Sequence, residues 1–196
     1  MGFGNSGNGS TWVHVSNGKM RNKKATPPIE CDSFTGKLVG LNRFMDAYEG
    51  KDIPKLVIQM ADDKTGEIVN ISCTDDTVFS CAFFSRIMAV DLSQPFLLGC
   101  FQNEETAAKK ITLGYIKQGG AVIKKDETFP KSKEVKMGTV TGRDWTPVHD
   151  KVAEIVNYLQ SKGITYKEES PKGQAGQLAA PPANDAPPLT DDDLPF

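Results

Sequence analysis

The stretch from Ser33 to about Val90 constrains the fold more than any other part of the chain. Lys55–Ala61 places Leu56, Ile58 and Met60 at every second position. A turn follows at Asp62-Asp63-Lys64-Thr65-Gly66, and Ile68–Cys73 returns with Val69, Ile71 and Cys73 on the same period. A period of two means strands with one buried face. Ser33–Phe44 reads as a long strand interrupted by Gly36 and Gly40, and glycine inside a strand marks a bulge or a sharp bend. The period then changes. Phe79, Phe83, Ile87 and Val90 form one stripe of a helix from Thr77 to about Val90, with Asp75, Asp76 or Thr77 as its cap. A long bent strand, two shorter ones and a helix are the beginning of a small barrel.

Flanking segments extend this plan. Residues 1–10 are mostly Gly, Asn and Ser and are expected to be flexible. In Thr11–Val15, Val13 and Val15 alternate with Trp12 and His14; the Asn17-Gly18 turn and a return limb with Lys19, Arg21, Lys23 and Lys24 complete a hairpin. Phe44–Pro54 reads as a loop carrying Tyr48 and Lys51. Phe96–Phe101 is the next strand, and Lys110–Lys117 with Ala121–Lys125 forms a second hairpin around Gln118-Gly119-Gly120. Phe129–Lys136 reads as a basic loop, with a short strand at Val135–Val140. Thr146, as cap, and Pro147 open a helix whose stripe is Val148, Val152, Ile155, Val156 and Leu159, and Gly163 stops it.

Beyond about Lys167 the composition turns to Ala, Pro, Gly, Gln and acids. Such a segment cannot bury enough apolar surface to offset its ordering entropy, so residues 167–196 are expected to be a disordered tail. Net charge divides at the same place. Residues 1–167 carry 22 Lys and Arg against 19 Asp and Glu, whereas the remainder holds six acids and one Lys. A mildly basic body with an acidic tail suits a polyanion binder whose tail competes for the same groove. The four cysteines form no C-x-x-C pair and lie near neither His14 nor His149, which argues against zinc. Cys73, Cys81 and Cys100 read as small core residues. No signal peptide or spanning apolar run is visible, so a cytoplasmic location, with no membrane partner, is expected.

The tail ends in Asp191-Asp192-Asp193-Leu194-Pro195-Phe196. Three adjacent carboxylates ahead of a terminal ring repel one another and suit no folded core, but a basic rim with a small pocket can hold them as a detachable peptide. This hexapeptide resembles the acidic tip of bacterial single-stranded-DNA-binding proteins. A helix between the third and fourth barrel strands is similar to the OB-fold of phage-encoded members. The resemblance implies a mainly β chain with two helices: an OB-fold barrel over 11–166 with an added N-terminal hairpin, a C-terminal helix and a disordered acidic tail. It implies sequence-tolerant binding of single-stranded DNA in replication, recombination or repair, in a bacterial host cell if the protein is viral. It also implies recruitment of replication or repair proteins by the tip, Asp191–Phe196. The Asn-rich first strand and Gly-Arg-Leu turn of cellular bacterial members are not visible, so their tetrameric assembly is not carried over.

A single-strand binder needs cations spaced for phosphates and aromatic faces for bases. The candidates are Trp12, His14, Arg21, Lys23 and Lys24 on the first hairpin, and Phe44, Tyr48 and Lys51 at the following loop. Tyr115, Lys117, Lys124, Lys125, Phe129, Lys131 and Lys133 lie on and after the second hairpin, and Arg143 precedes the last helix. Trp145, one residue before the helix cap, reads instead as a hydrophobic staple. No cofactor or metal is expected, and no G-x-S-x-G, Walker A or H-E-x-x-H motif appears. Two other classes remain open: an adaptor that displays the tip, and a magnesium-dependent nuclease using Asp62-Asp63 or Asp75-Asp76.

Overall fold

The computed structural model describes residues 11–22, 25, 28–48, 51–137 and 140–169. The elements are β1 (Thr11–Ser16), β2 (Lys19–Asn22), β3 (Ile29–Cys31), β4 (Ser33–Tyr48), β5 (Lys51–Asp62), β6 (Ile68–Thr74), α1 (Val78–Ile87) and β7 (Phe96–Phe101). They continue as α2 (Glu104–Ala108), β8 (Leu113–Gln118), β9 (Ala121–Val122), β10 (Lys133–Met137), β11 (Val140–Asp144), α3 (Thr146–Ser161) and β12 (Thr165–Glu169). The chain is mainly β with three helices. Nine strands form one curled sheet in the order β3-β2-β1-β6-β5-β4-β7-β8-β9; β12 joins it on β4, and β10–β11 is a separate ribbon. None of the helices of the described residues is long and apolar enough to cross a membrane.

The alternating stretch folds as its period requires. β4, β5 and β6 are an antiparallel meander with Leu38↔Met60, Ile58↔Ile71 and Leu56↔Cys73 opposite one another. The expected bulge falls between Leu38 and Gly40, where Val39 is the extra residue. The bend lets β4 serve two partners on its other edge. Ser33–Gly36 pairs with β7, and Gly40–Phe44 pairs in parallel with β12. Leu38, Leu41, Leu56, Ile58, Met60 and Ile71 face a common core, which Phe79, Phe83 and Ile87 of α1 and Val152, Ile155 and Leu159 of α3 complete. Gly36 sits where the meander meets β7. A Cβ there would lie 2.2 Å from the Ala61 carbonyl oxygen and 3.1 Å from the Phe34 ring, and the nearer neighbour is strand backbone that cannot yield. Gly36→Ala is therefore expected to cost about 1–3 kcal/mol, read as a lower urea midpoint at unchanged slope.

Several elements depart from the sequence expectations. The β4–β5 pairing runs out to Tyr48↔Lys51, so most of the loop expected over 44–54 is strand. α2 is a third helix, one short segment closed by a capping box between Asn103 and Thr106; it buries no residue, so it left no apolar period to read. The loop expected at 129–136 becomes, in its second half, the first strand of the β10–β11 ribbon, with Lys133↔Asp144 at its base. The second hairpin's return limb is only Ala121–Val122. Thr146 is inside α3, not its cap; Trp145 holds the cap position without a side-chain bond, and the Asp144 carboxylate accepts from the Thr146 backbone N–H at 2.9 Å. β12 carries ordered structure to Glu169, past the boundary expected at 166. The expected Asn-Gly turn is present, with φ of 51° at Asn17 and 71° at Gly18. It packs against the end of β7, where a Cβ on Gly18 would meet the Gln102 nitrogen at 2.9 Å.

Candidate nucleic-acid interface

The residues expected to touch a nucleic acid fall into two groups. The first is on the outer face of the sheet. Trp12 and His14 alternate with the buried Val13 and Val15. Residues opposite one another in adjacent strands share a face, so Asn70 and Ser72 lie beside Trp12 and His14, and Arg21 lies across from His14. Phe44, Lys55 and Thr74 form a further row of this face. Trp12 is 48% exposed. Arg21 is engaged, since its Nε donates to Glu30 at 2.6 Å; Lys19 is bonded to Asp32. Those two cations thus meet local carboxylates before any phosphate.

The second group surrounds α1. Phe101 and Tyr115 are neighbours on the outer face of β7–β8, with ring centroids 5.9 Å apart, and the Lys117 ammonium stands 5.4 Å from the Tyr115 centroid. Gly99 makes this arrangement possible, because a Cβ there would lie 2.2 Å from the Tyr115 ring. Phe101, 43% exposed, leads into a concavity of about 450 Å³ between α1, β8, the 125–132 segment and β11. Its floor is apolar, with Val78, Ala82 and Leu113, and Trp145 forms a wall. Among the described residues, Arg86, Lys125, Lys131 and Arg143 line it and no carboxylate does. A second concavity of about 530 Å³ runs from His14 past Thr77 to Lys110 and shares Val78, Arg143 and Trp145 with the first.

Arg86 is held by its own helix. Its Nη1 donates to the Ala82 carbonyl oxygen at 2.9 Å and to Ser85 Oγ at 3.3 Å, while its Nε is buried without a partner. Burial pushes the guanidinium below its ordinary pKa, though it stays charged. Arg143 donates to Ser132 Oγ at 3.2 Å. Cys81 lines the same concavity, and burial raises its thiol to about 11, which leaves it protonated and poorly nucleophilic.

The sequence expectations are therefore corrected in places. Phe129 is 5% exposed and belongs to the core, so its ring offers no face for stacking. The Asp126 backbone N–H donates to the Ser85 carbonyl, pulling this segment onto α1 and Phe129 inward. Lys124, Lys125, Lys131 and Lys133 are exposed as expected, with Lys133 opposite Asp144. Arg86 and Phe101, which line the concavity, are not among the sequence candidates; Trp145, expected as a hydrophobic staple, packs against the core and also lines the concavity. Only the lone Arg on the apolar helix 78–87 could have signalled the first. Lys23, Lys24 and Asp191, Asp192, Asp193, Leu194, Pro195 and Phe196 lie outside the described residues, as do the side chains of Tyr48 and Lys51.

The Asp pairs have structural partners. Asp75 pairs with Arg43, Asp76 Oδ1 lies 2.7 Å from His149 Nε2, and Asp62 accepts from the backbone of Lys64 and Thr65 in its turn. Among the described residues, no three His, Cys, Asp or Glu are grouped to hold a metal ion. No family model, curated protein or solved structure matches this chain.

Proposed function

We propose that the protein binds single-stranded DNA with little sequence preference, through an OB-fold, and recruits replication or repair proteins through Asp191–Phe196. The observation that carries the reading is the concavity beside α1, lined among the described residues by Arg86, Lys125, Lys131 and Arg143 with Trp145 and Phe101 and by no carboxylate, and continued at Phe101 by Tyr115 and Lys117. Cations with adjoining aromatic faces are what a strand of any sequence requires, since every base has a π-face. The OB assignment is supported by the β4–β5–β6 meander, the position of α1 before β7, and the return of β7 to β4. Parallel β1 extends the sheet at β6. The tip reading rests on its sequence chemistry alone.

Titration of a fluorescent oligo-dT tests this. Log affinity is expected to fall linearly with log salt, with a slope of about −0.7 per phosphate neutralised. Tyr115→Ala is expected to weaken binding by roughly 1–3 kcal/mol, the worth of one stacked base. A slope near zero, or undiminished binding by a folded Tyr115→Ala protein, contradicts the assignment of these residues. Absence of binding leaves the adaptor class as the better reading.

A further inference from the structure

A flat stacking face needs no hole, yet the surface beside α1 has one. Its volume of about 450 Å³ is enough for one nucleobase with its sugar, and its floor is apolar. Its charged groups are all donors, from Arg86, Lys125, Lys131 and Arg143. Among these, Arg86 is tied through Nη1 to the Ala82 carbonyl oxygen and Ser85 Oγ of its own helix. This pairing fixes the guanidinium, which spares a ligand the entropy of ordering a long side chain.

Two polyanions fit donors around an apolar floor: a nucleotide and an acidic peptide with an aromatic residue. The surroundings favour the nucleotide. Phe101 in the concavity continues to Tyr115 and Lys117 outside it, a succession of ring faces that accommodates consecutive bases but not a lone side chain. We propose that this concavity takes one unstacked nucleotide of the bound strand, with its base beside Trp145 and Phe101, a base acceptor facing the Arg86 guanidinium, and its phosphates on Lys125, Lys131 and Arg143. This rests on the single-strand-binding reading. A donor-lined pocket selects bases with carbonyl acceptors, so thymine, with two carbonyl oxygens and no exocyclic amine, fits better than adenine, whose N6 amine finds no carboxylate among these residues.

The test uses full-length protein and two probes of equal length, oligo-dT and a chain of abasic deoxyribose phosphate. Their affinity ratio isolates what the bases contribute. Arg86→Gln and Val78→Trp, the second filling the concavity from an exposed first-turn position, are each expected to lower the ratio by on the order of tenfold. Folding is checked by the thermal transition, and if Arg86→Gln does not fold, Val78→Trp decides alone. A ratio kept at the wild-type value by either folded variant overturns the proposal, while wild-type binding with a steep salt slope leaves single-strand binding standing. Failure of the wild type to bind either probe removes the underlying reading itself. Because the chain has two Trp, Trp12→Phe makes Trp145 the reporter of the concavity. Quenching by oligo-dT is expected; quenching by the free hexapeptide Asp-Asp-Asp-Leu-Pro-Phe and not by oligo-dT makes it a peptide site and overturns the nucleotide assignment.

Discussion

Arg43→Met is expected to lower the free energy of unfolding by about 3–5 kcal/mol, because it strands a buried carboxylate. Arg43 projects from β4 and donates from Nε at 2.6 Å and from Nη2 at 2.5 Å to the same oxygen of Asp75. The Asp75 side chain is 6% exposed, and Arg43 is also largely shielded. Burial raises the Asp75 carboxyl above its ordinary value, with Arg43 as the chief opposing influence. Without that guanidinium the raised pKa climbs further, and the folded state takes up a proton more readily than the unfolded chain. The sign follows from that difference. The loss is full above the raised folded pKa, where Asp75 is charged, and shrinks as pH falls through it, since a neutral carboxyl tolerates burial better. Denaturation midpoints of Arg43→Met across this range should converge on the wild type as the solution is acidified. Removing both partners, as in Arg43→Met with Asp75→Asn, should recover most of the loss at neutral pH. A deficit independent of pH and not relieved by the second substitution would show that Arg43 acts by packing alone.

The same ion pair marks what a linear reading can reach. Local chemistry carried the meander, the Asn17-Gly18 turn and the apolar stripe of α1, because each is set by residues a few positions apart. Asp75, Asp76 and Thr77 all read as possible caps of α1; Thr77 is the cap, and Asp75 is not. Its real partner lies 32 residues away on β4, and no local pattern contains that pairing. Phe129 failed for a related reason. Amid lysines it reads as an exposed ring, and only the bond from Asp126 to the Ser85 carbonyl turns it toward the core. β12 reads as coil because Lys167, Glu168 and Glu169 are charged, yet charges are what a strand at a sheet margin tolerates, and the bend in β4 opens an edge for it. In the candidate interface, exposed lysines were legible one by one. Their convergence with Arg86, Phe101 and Trp145 depends on how α1, β7 and β11 are brought together.

Deleting residues 170–196 is expected to tighten single-stranded DNA binding on the order of tenfold at low salt and to leave the fold intact. The cut belongs there because Glu168 and Glu169 are in β12, opposite Arg43 and Phe44, and their removal would disturb the sheet. The deleted segment carries four Asp and one Lys. On the sequence expectation of an unstructured tail, its acids stay at high effective concentration near the exposed lysines of the body. Phosphates must then compete with carboxylates already nearby, and the advantage of deletion should fade as salt screens the tail. Deleting Phe196 alone removes no Asp, so DNA affinity should stay at the wild-type value while capture of replication proteins from a bacterial extract weakens through loss of the ring. Two measurements separate the roles: salt-dependent DNA affinity of the shortened protein, and capture by full-length and Phe196-deleted protein. Weaker DNA binding after the larger deletion would place the tail inside the DNA site. Unchanged capture after loss of Phe196 would reduce the tip to a run of solubilising charge.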